Sequence, residues 1–161
     1  MRDSRVPVWT TVTISADGDT TGPEIDLLEQ FVGDFIYGTE EYGVPVELIA
    51  DDVVTGTGNG FTVTMKWQVA PDDGSGAAGT YVDFATIGVF RMDTDGLFLK
   101  EDNSTLLGLD RAKLQTRLKG TVNRFARLVA TAASVTGGET VRVRGWLSDG
   151  VHPYIDPGKI Y

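Results

Sequence analysis

Hydrophobic and polar residues alternate most regularly along residues 61–69, around which the predicted fold is organised. The polar residues of this stretch separate five apolar ones, namely Phe61, Val63, Met65, Trp67 and Val69. A period of two directs one set to a core and the other to water, as in a strand of an antiparallel sheet. The turn-forming residues 58–60 and 71–74 bound the stretch. We therefore predict a central β-strand over residues 61–69, with Trp67 in the core.

Shorter alternating or β-branched segments predict further strands. They are residues 9–15, 44–50, 81–87, 122–135 and 140–147. Because proline cannot donate a ladder hydrogen bond, Pro45 places its strand at the edge of a sheet or marks the start of the strand. Residues 136–139 form a glycine-containing turn between the last two segments, so we predict that these two segments pair as a hairpin.

Two segments suit either a helix or a strand. Residues 22–31 fit a short helix capped by Thr21 or, equally, a second strand. Residues 110–119 are strong helix formers preceded by a capping Asp110, but their apolar residues also alternate as in a strand. Both alternatives stay open for each segment.

Together these segments predict a mainly β protein. We expect a single-domain antiparallel β-sandwich, jelly-roll-like, with at most one or two short helices. A length of 161 residues suits one domain, and 20 glycines favour short strands joined by turns. We place the sandwich at residues 9–147, an extended N-terminal arm at 1–8 and a C-terminal arm at 148–161, because both ends carry proline without any period.

Charge limits the partners that the chain can take. Its formal net charge of −9 argues against direct nucleic-acid binding, which needs a basic surface. Residues 1–99 carry 17 acidic and 4 basic side chains, whereas residues 100–161 carry 6 acidic and 10 basic ones. Either the two parts mix within one fold, or copies meet through faces of opposite sign, as in a repeating assembly.

The sequence also limits the cellular location. No apolar run approaches the roughly 20 residues of a membrane span, so we predict no membrane partner. The first residues lack the apolar core of a signal peptide, which predicts synthesis in the cytoplasm.

Candidate catalytic chemistry is sparse. The absence of cysteine excludes disulfides, thiolate zinc sites and thiol catalysis. The single histidine, His152, lies in the predicted C-terminal arm, whereas a general base works best from a rigid element. We predict no catalytic residue and no enzymatic activity, a small hydrolase being the least favoured alternative.

Calcium is an alternative that the acidic turns raise. Residues 17–19, 72–74 and 93–96 each place aspartates next to glycine or to each other. In the last of these, Leu97 stands where an EF-hand loop requires an oxygen ligand, and Ser104 stands where it requires a glutamate. Aspartate and glycine between strands are turn residues first, so we predict no cofactor and do not favour Ca²⁺.

The strongest binding signal lies near the end of the predicted sandwich. Trp146 is in phase with Arg142 and Arg144, opposite to two valines, which predicts an exposed tryptophan beside two arginines. Such a combination is typical of a binding surface. The candidate partner-binding residues, on this face and on the two arms, are Arg2, Arg5, Arg142, Arg144, Trp146, His152, Tyr154 and Tyr161.

The order of segments over most of residues 9–147 resembles a class of small accessory virion proteins of tailed bacteriophages. The residues that carry the resemblance are Thr13-Ile14-Ser15-Ala16-Asp17-Gly18, Ile25-Asp26-Leu27, the strand and turn at 65–74, Tyr81-Val82-Asp83, Phe125-Ala126-Arg127-Leu128-Val129 and Gly137-Gly138. Such proteins often have a jelly-roll or related β-sandwich fold. The resemblance implies a structural role in the virion and names no catalytic residue.

The resemblance and the residues together predict the function. We expect a head decoration or capsid-stabilising protein, of minor capsid type, that binds the assembled capsid lattice through its arms. Its partners would be the major capsid protein or another virion protein, and a homo-oligomer is expected. The alternative is a tail-associated or cell-surface carbohydrate-binding or adhesion module.

Overall fold

The computed structural model describes residues 5–27, 44–56, 60–118, 121 and 123–148. In chain order the strands are β1 (Arg5–Ile14), β2 (Gly18–Thr21), β3 (Ile25–Asp26), β4 (Val44–Val54), β5 (Phe61–Ala70), β6 (Val82–Met92), β7 (Phe98–Leu99), β8 (Ser104–Leu106), β9 (Ala112–Leu118), β10 (Phe125–Ala133) and β11 (Thr140–Ser148). They form two antiparallel sheets that enclose one core, so the predicted β-sandwich is confirmed. Within these ranges there is no helix that could cross a membrane.

The two sheets have the strand order of a jelly roll. Sheet A runs β1-β11-β4-β9-β8, and sheet B runs β2-β10-β5-β6-β7, with β3 also pairing with β10. Four pairs therefore join early strands to late strands in reverse order: β1 with β11, β2 with β10, β4 with β9, and β5 with β6. These pairs alternate between the sheets, as when one long hairpin is rolled into a sandwich.

The predicted central strand is confirmed as β5. It lies at the middle of sheet B, between β10 and β6, and extends to Ala70. All five apolar residues predicted for its inner face are at most 3% exposed. Burying each large apolar side chain contributes about 1.5–3 kcal/mol, so β5 supplies a large part of the core.

The predicted hairpin between residues 122–135 and 140–147 is wrong. The two segments form β10 and β11, but β10 belongs to sheet B and β11 to sheet A. The turn between them is closed by Glu139, whose carboxylate accepts a hydrogen bond from the Thr136 amide at 2.9 Å, and it carries the chain from one sheet to the other. A period of two predicts which face of a strand is buried, but it does not name the neighbouring strand.

The predicted N-terminal arm is also shorter than expected. Residues 5–8 belong to β1, which pairs with β11 so that Arg5 lies opposite Ser148. Pro7 is accommodated because β1 is an edge strand and needs no donor on its open side. Register irregularities after Pro7 and Trp9 change the phase of β1, which lets both Trp9 and Ile14 point into the core.

Both ambiguous segments contain a strand in their described parts, whereas residues 28–31 lie outside the described residues. Residues 112–118 form β9 despite their helix propensity, because pairing with β4 and β8 buries Ala112 and Leu114. Residues 25–26 form β3. Pro45 stands near the beginning of β4, which lies inside sheet A, so it marks the start of a strand and not an edge.

Each sheet ends in short or irregular strands. In sheet A the outer strands are β8, of 3 residues, and β1, which carries Pro7 and two register shifts. In sheet B they are β7, of 2 residues, and the short strands β2 and β3.

Oppositely charged parts of the sequence pair within the fold. Among the described residues, six ion pairs join an acid from the first 99 residues to a base beyond them: Glu47–Lys113, Asp26–Arg124, Asp72–Arg124, Asp51–Arg142, Asp52–Arg142 and Asp51–Arg144. The jelly-roll pairing of early with late strands brings them together. This supports the interpretation that the two parts of the sequence mix in one fold.

Candidate functional site

Both ends of the described chain lie at the same end of sheet A. Because β1 and β11 are antiparallel and Arg5 is opposite Ser148, residues 1–4 and 149–161 begin from neighbouring strands. Of the predicted binding residues, Arg2, His152, Tyr154 and Tyr161 lie outside the described residues, and Arg5 lies in β1. Ser148, predicted to open the C-terminal arm, belongs to β11.

The outer face of sheet A carries the other predicted residues. Along β11, Val141, Val143 and Leu147 are fully buried, so the alternate residues point away from the core. These are Arg142, Arg144 and Trp146, all partly exposed, as the sequence predicts. We call these three residues, together with Asp51 on β4, the arginine face.

Asp51 binds both arginines at once. Its Oδ1 accepts a hydrogen bond from Arg142 Nε at 2.8 Å, and its Oδ2 accepts one from Arg144 Nη2 at 2.5 Å. The Asp51 side chain is 8% exposed, whereas the two arginine side chains are 38% and 39% exposed. The carboxylate is thus covered by the guanidinium groups that it holds.

A bulge in β4 adds a second acid beside Arg142. The register between β4 and β11 shifts between Thr140 and Arg142, and Asp52 has a φ of 54°. Asp52 Oδ2 lies 3.3 Å from Arg142 Nη1, with its own side chain 65% exposed. Arg142 is therefore held by two carboxylates, and Arg144 by one.

Electrostatics keep these groups charged. Burial alone would raise the pKa of Asp51, but the hydrogen bond from Arg142 and the charges of Arg144 and Arg142 hold it below its ordinary value of 3.8. The hydrogen bond to Asp51 likewise raises the pKa of Arg142. Asp51 and Arg142 are therefore both ionised at neutral pH.

Basic side chains extend this surface across sheet A. Lys113 on β9 lies 3.9 Å from Glu47 on β4, and Glu47 is the cross-strand neighbour of Trp146. Arg117 follows Lys113 on the same face of β9. Counting Arg111, whose charge also acts on Asp51, the residues named on the described part of this surface are five basic and three acidic ones, on a chain with a net charge of −9.

A second polar cluster lies on sheet B. Arg124 bridges Asp26 on β3 and Asp72 in the turn after β5, at 2.6 and 2.7 Å. Nearby, the Arg127 guanidinium stacks 3.9 Å from the centre of the Tyr81 ring, and the Tyr81 hydroxyl donates to Glu24 at 2.8 Å. Burial and this hydrogen bond raise the pKa of Tyr81. The cluster anchors the turn after β5 to sheet B.

In the acidic turn at residues 72–74 the carboxylates bond to the turn's own amides, while the other oxygen of Asp72 binds Arg124. Asp72 Oδ1 accepts hydrogen bonds from the amides of Gly74 and Gly76, and Asp73 Oδ1 accepts them from Ser75. These contacts are those of turn residues, as predicted. Across the described ranges, no three acidic or histidine side chains group closely enough to hold a metal ion.

Sequence reasoning missed Asp51 altogether. From the sequence, residues 51–60 read as a polar, glycine-rich connection between two strands, whereas β4 continues to Val54, and no local signal relates Asp51 to residue 142. Its partners lie 91 and 93 residues away along the chain. Only the register between β4 and β11 brings them together.

The fold defines the class of the protein as a jelly-roll β-sandwich. Neither a family model nor a curated protein matches the chain. Among solved structures, a chain from a structure of the infectious bursal disease virus Gx strain is similar with a TM-score of 0.30 and 14% identity, over 89% of this chain and 39% of that one. This chain thus spans well under half of that chain, and a TM-score this low establishes no relationship.

Proposed function

We propose that the protein is a structural component of a bacteriophage virion, a head decoration or capsid-stabilising protein that attaches to the capsid lattice. The observation that carries the proposal is the pairing of Arg5 with Ser148, which starts both terminal segments side by side. The jelly-roll fold, which occurs in viral capsid domains, and the sequence resemblance agree with it. Made in the host cytoplasm, the protein would act in the virion.

Because the two terminal segments start from neighbouring strands, binding of one favours binding of the other. Once one segment binds a neighbouring subunit, the other is held close to the same subunit at a high effective concentration. Trp146 lies two residues before Ser148, so the arginine face adjoins the point where both segments begin. We therefore expect the segments and the face to contact the same partner surface.

Truncation tests the proposal. Particles from phage that lack the gene are mixed with the purified full-length chain, or with a chain that ends at Ser148 and so keeps all of β11. We expect the full-length chain to co-sediment with particles and the truncated chain to stay in solution, with equal unfolding midpoints for the two. Equal attachment would contradict the role of the C-terminal segment, and no attachment by the full-length chain would contradict the proposal itself.

The partly exposed Trp146 favours one second candidate function. A tryptophan on a rigid strand can stack on a sugar ring, and jelly rolls also occur as lectin domains. A carbohydrate-binding or adhesion module would bind glycans on an array and lose that binding on Trp146→Ala. Absence of any glycan bound by the full-length chain would count against it.

A further inference from the structure

We propose that the arginine face is a docking site for carboxylate groups on an acidic surface of a different protein, and that Asp51 is its positioning residue. The inference rests on the proposed function of attachment to a protein lattice, and it names the chemistry that the lattice would present. It also gives a role to Asp51, which the attachment proposal does not use.

The arginines are held in place before any partner arrives. Each oxygen of Asp51 binds one guanidinium, so neither Arg142 nor Arg144 is free to sample many rotamers. Both arginines lie on a strand inside sheet A, and not on a loop. Fixing a long side chain in advance removes part of the ordering cost from binding.

Enough donors remain for a second acceptor. A guanidinium has five N–H groups in a planar fork that matches a carboxylate. Within the described residues, Arg142 uses Nε and Nη1, and Arg144 uses Nη2. With more than a third of each side chain exposed, the outer N–H groups can receive a partner's carboxylate.

Charge favours an acidic protein over the other occupants. The surface of sheet A is locally basic on a chain with a net charge of −9. A nucleic acid carries phosphate charges along its whole length and would also meet the acidic remainder of the chain, whereas an acidic patch on a protein meets the basic face alone. Sheet B of a second copy is a poor source of carboxylates, because many of its described acids are already bonded within their own chain. These acids include Asp19, Glu24, Asp26, Asp72 and Asp83.

Trp146 adds an apolar contact beside the charges. Tryptophan and arginine are the residues most enriched among those that dominate binding energy. Here Arg142, Arg144 and Trp146 follow one another on the same face of β11. The face therefore combines a fixed pair of charged forks with a flat aromatic ring.

Fluorescence quenching tests whether the face attracts anions. Trp9 and Trp67 are 1% and 0% exposed, so quenching by dissolved ions reports on Trp146. We expect iodide to quench more than caesium at low salt, and the change R142Q/R144Q to lower iodide quenching about twofold as the local field is lost. Acrylamide, which is neutral, should quench both proteins alike. Equal iodide quenching in the two proteins would overturn the inference.

Peptide binding tests the partner class and the role of Asp51. A labelled peptide of eight glutamates is titrated with the full-length chain, the R142Q/R144Q variant and the Asp51→Asn variant. We expect affinity to fall about tenfold or more in the double variant, since two charge-assisted contacts are lost. Asp51→Asn makes the face more basic, so simple attraction predicts tighter binding, whereas loss of positioning predicts weaker binding. Tighter binding would overturn the positioning role.

Further measurements control for misfolded variants and for the other possible occupants of the arginine face. If Asp51→Asn does not fold, R142K/R144K keeps the charge but loses the forks, and it should also bind the peptide more weakly. Preference for a DNA duplex of equal charge, or self-association that R142Q/R144Q abolishes, would replace the proposed partner. Peptide binding without particle attachment would contradict the proposed function alone. Particle attachment that does not depend on the arginines would contradict this inference alone.

Discussion

Gly88 on β6 faces Leu114 on β9 across the core, so that a Cβ atom at position 88 would lie 2.7 Å from Leu114 Cδ2. The two sheets approach each other closely at this point because residue 88 has no side chain. Gly88→Ala should therefore destabilise the fold by about 1–3 kcal/mol through overpacking. Urea unfolding of the variant and the wild type measures the difference.

A double-mutant cycle locates the cause of that loss. Leu114→Ala alone should cost about 2–5 kcal/mol, because it leaves a cavity in a fully buried site. In the double variant the methyl group at position 88 occupies part of that cavity. The combined loss should then fall short of the sum by about 0.5–3 kcal/mol. Additive losses would show that the two residues do not contact each other.

Stability should fall in acid partly because of Asp51. Its pKa in the folded chain lies below the ordinary value of 3.8, so its ionised form is favoured by folding. The stabilisation is fully present well above pH 3.8, and it is lost as the pH falls from that value through the folded pKa. Asp51→Asn should be about 1–3 kcal/mol less stable at pH 7. The difference in unfolding free energy between Asp51→Asn and the wild type should narrow as the pH falls below 4. A difference that stays constant with pH would contradict a stabilising role of the ionised Asp51.

Arg124 should control the order of the turn after β5. Its guanidinium binds Asp72, whose other oxygen accepts hydrogen bonds from Gly74 and Gly76. Arg124→Gln should therefore speed hydrogen exchange at these two amides. Arg91→Gln, which breaks an exposed pair with Glu101, is the matched control and should leave them unchanged.

The indole of Trp67 is packed without a hydrogen bond. Its ring is fully buried, and its Nε1 finds no acceptor in the described part of the chain. Trp67→Phe should cost less than about 2 kcal/mol, against about 3–5 kcal/mol for Trp67→Ala. The reason is that losing an unpaired buried donor relieves about 1–3 kcal/mol and offsets part of the lost packing. Equal losses of unfolding free energy in Trp67→Phe and Trp67→Ala, measured by thermal or urea unfolding, would contradict this explanation.

The local pattern of apolar and polar residues predicted where the strands lie better than it predicted which strands pair with each other. Residues 61–69 alternate cleanly, and their burial follows, because the period of a strand is a property of its own backbone. The sheet membership of β10 and β11 is not such a property, which is why the predicted hairpin between them is wrong. Residues 112–118 show the converse, since burial between β4 and β8 overrides their helix propensity.

For the candidate site, too, the sequence predicted the face on which residues lie but not their partners on other strands. Alternation along β11 was enough to place Arg142, Arg144 and Trp146 on one outer face. Asp51 could not be predicted, because its contact depends on a register between strands that are about 90 residues apart. The chain ends were likewise predicted as arms without any sign that β1 and β11 would pair there.

The short or irregular outer strands of the two sheets affect what happens when many copies of the protein are held close together. A long, regular sheet edge invites another chain to add a strand, and many copies held side by side would then aggregate edge to edge. Here β7 and β8 are too short to offer such a template, and β1 is interrupted by Pro7 and two register shifts. Copies concentrated on one surface would therefore not add strands to one another through these described edges, so crowding would not convert them into fibrils.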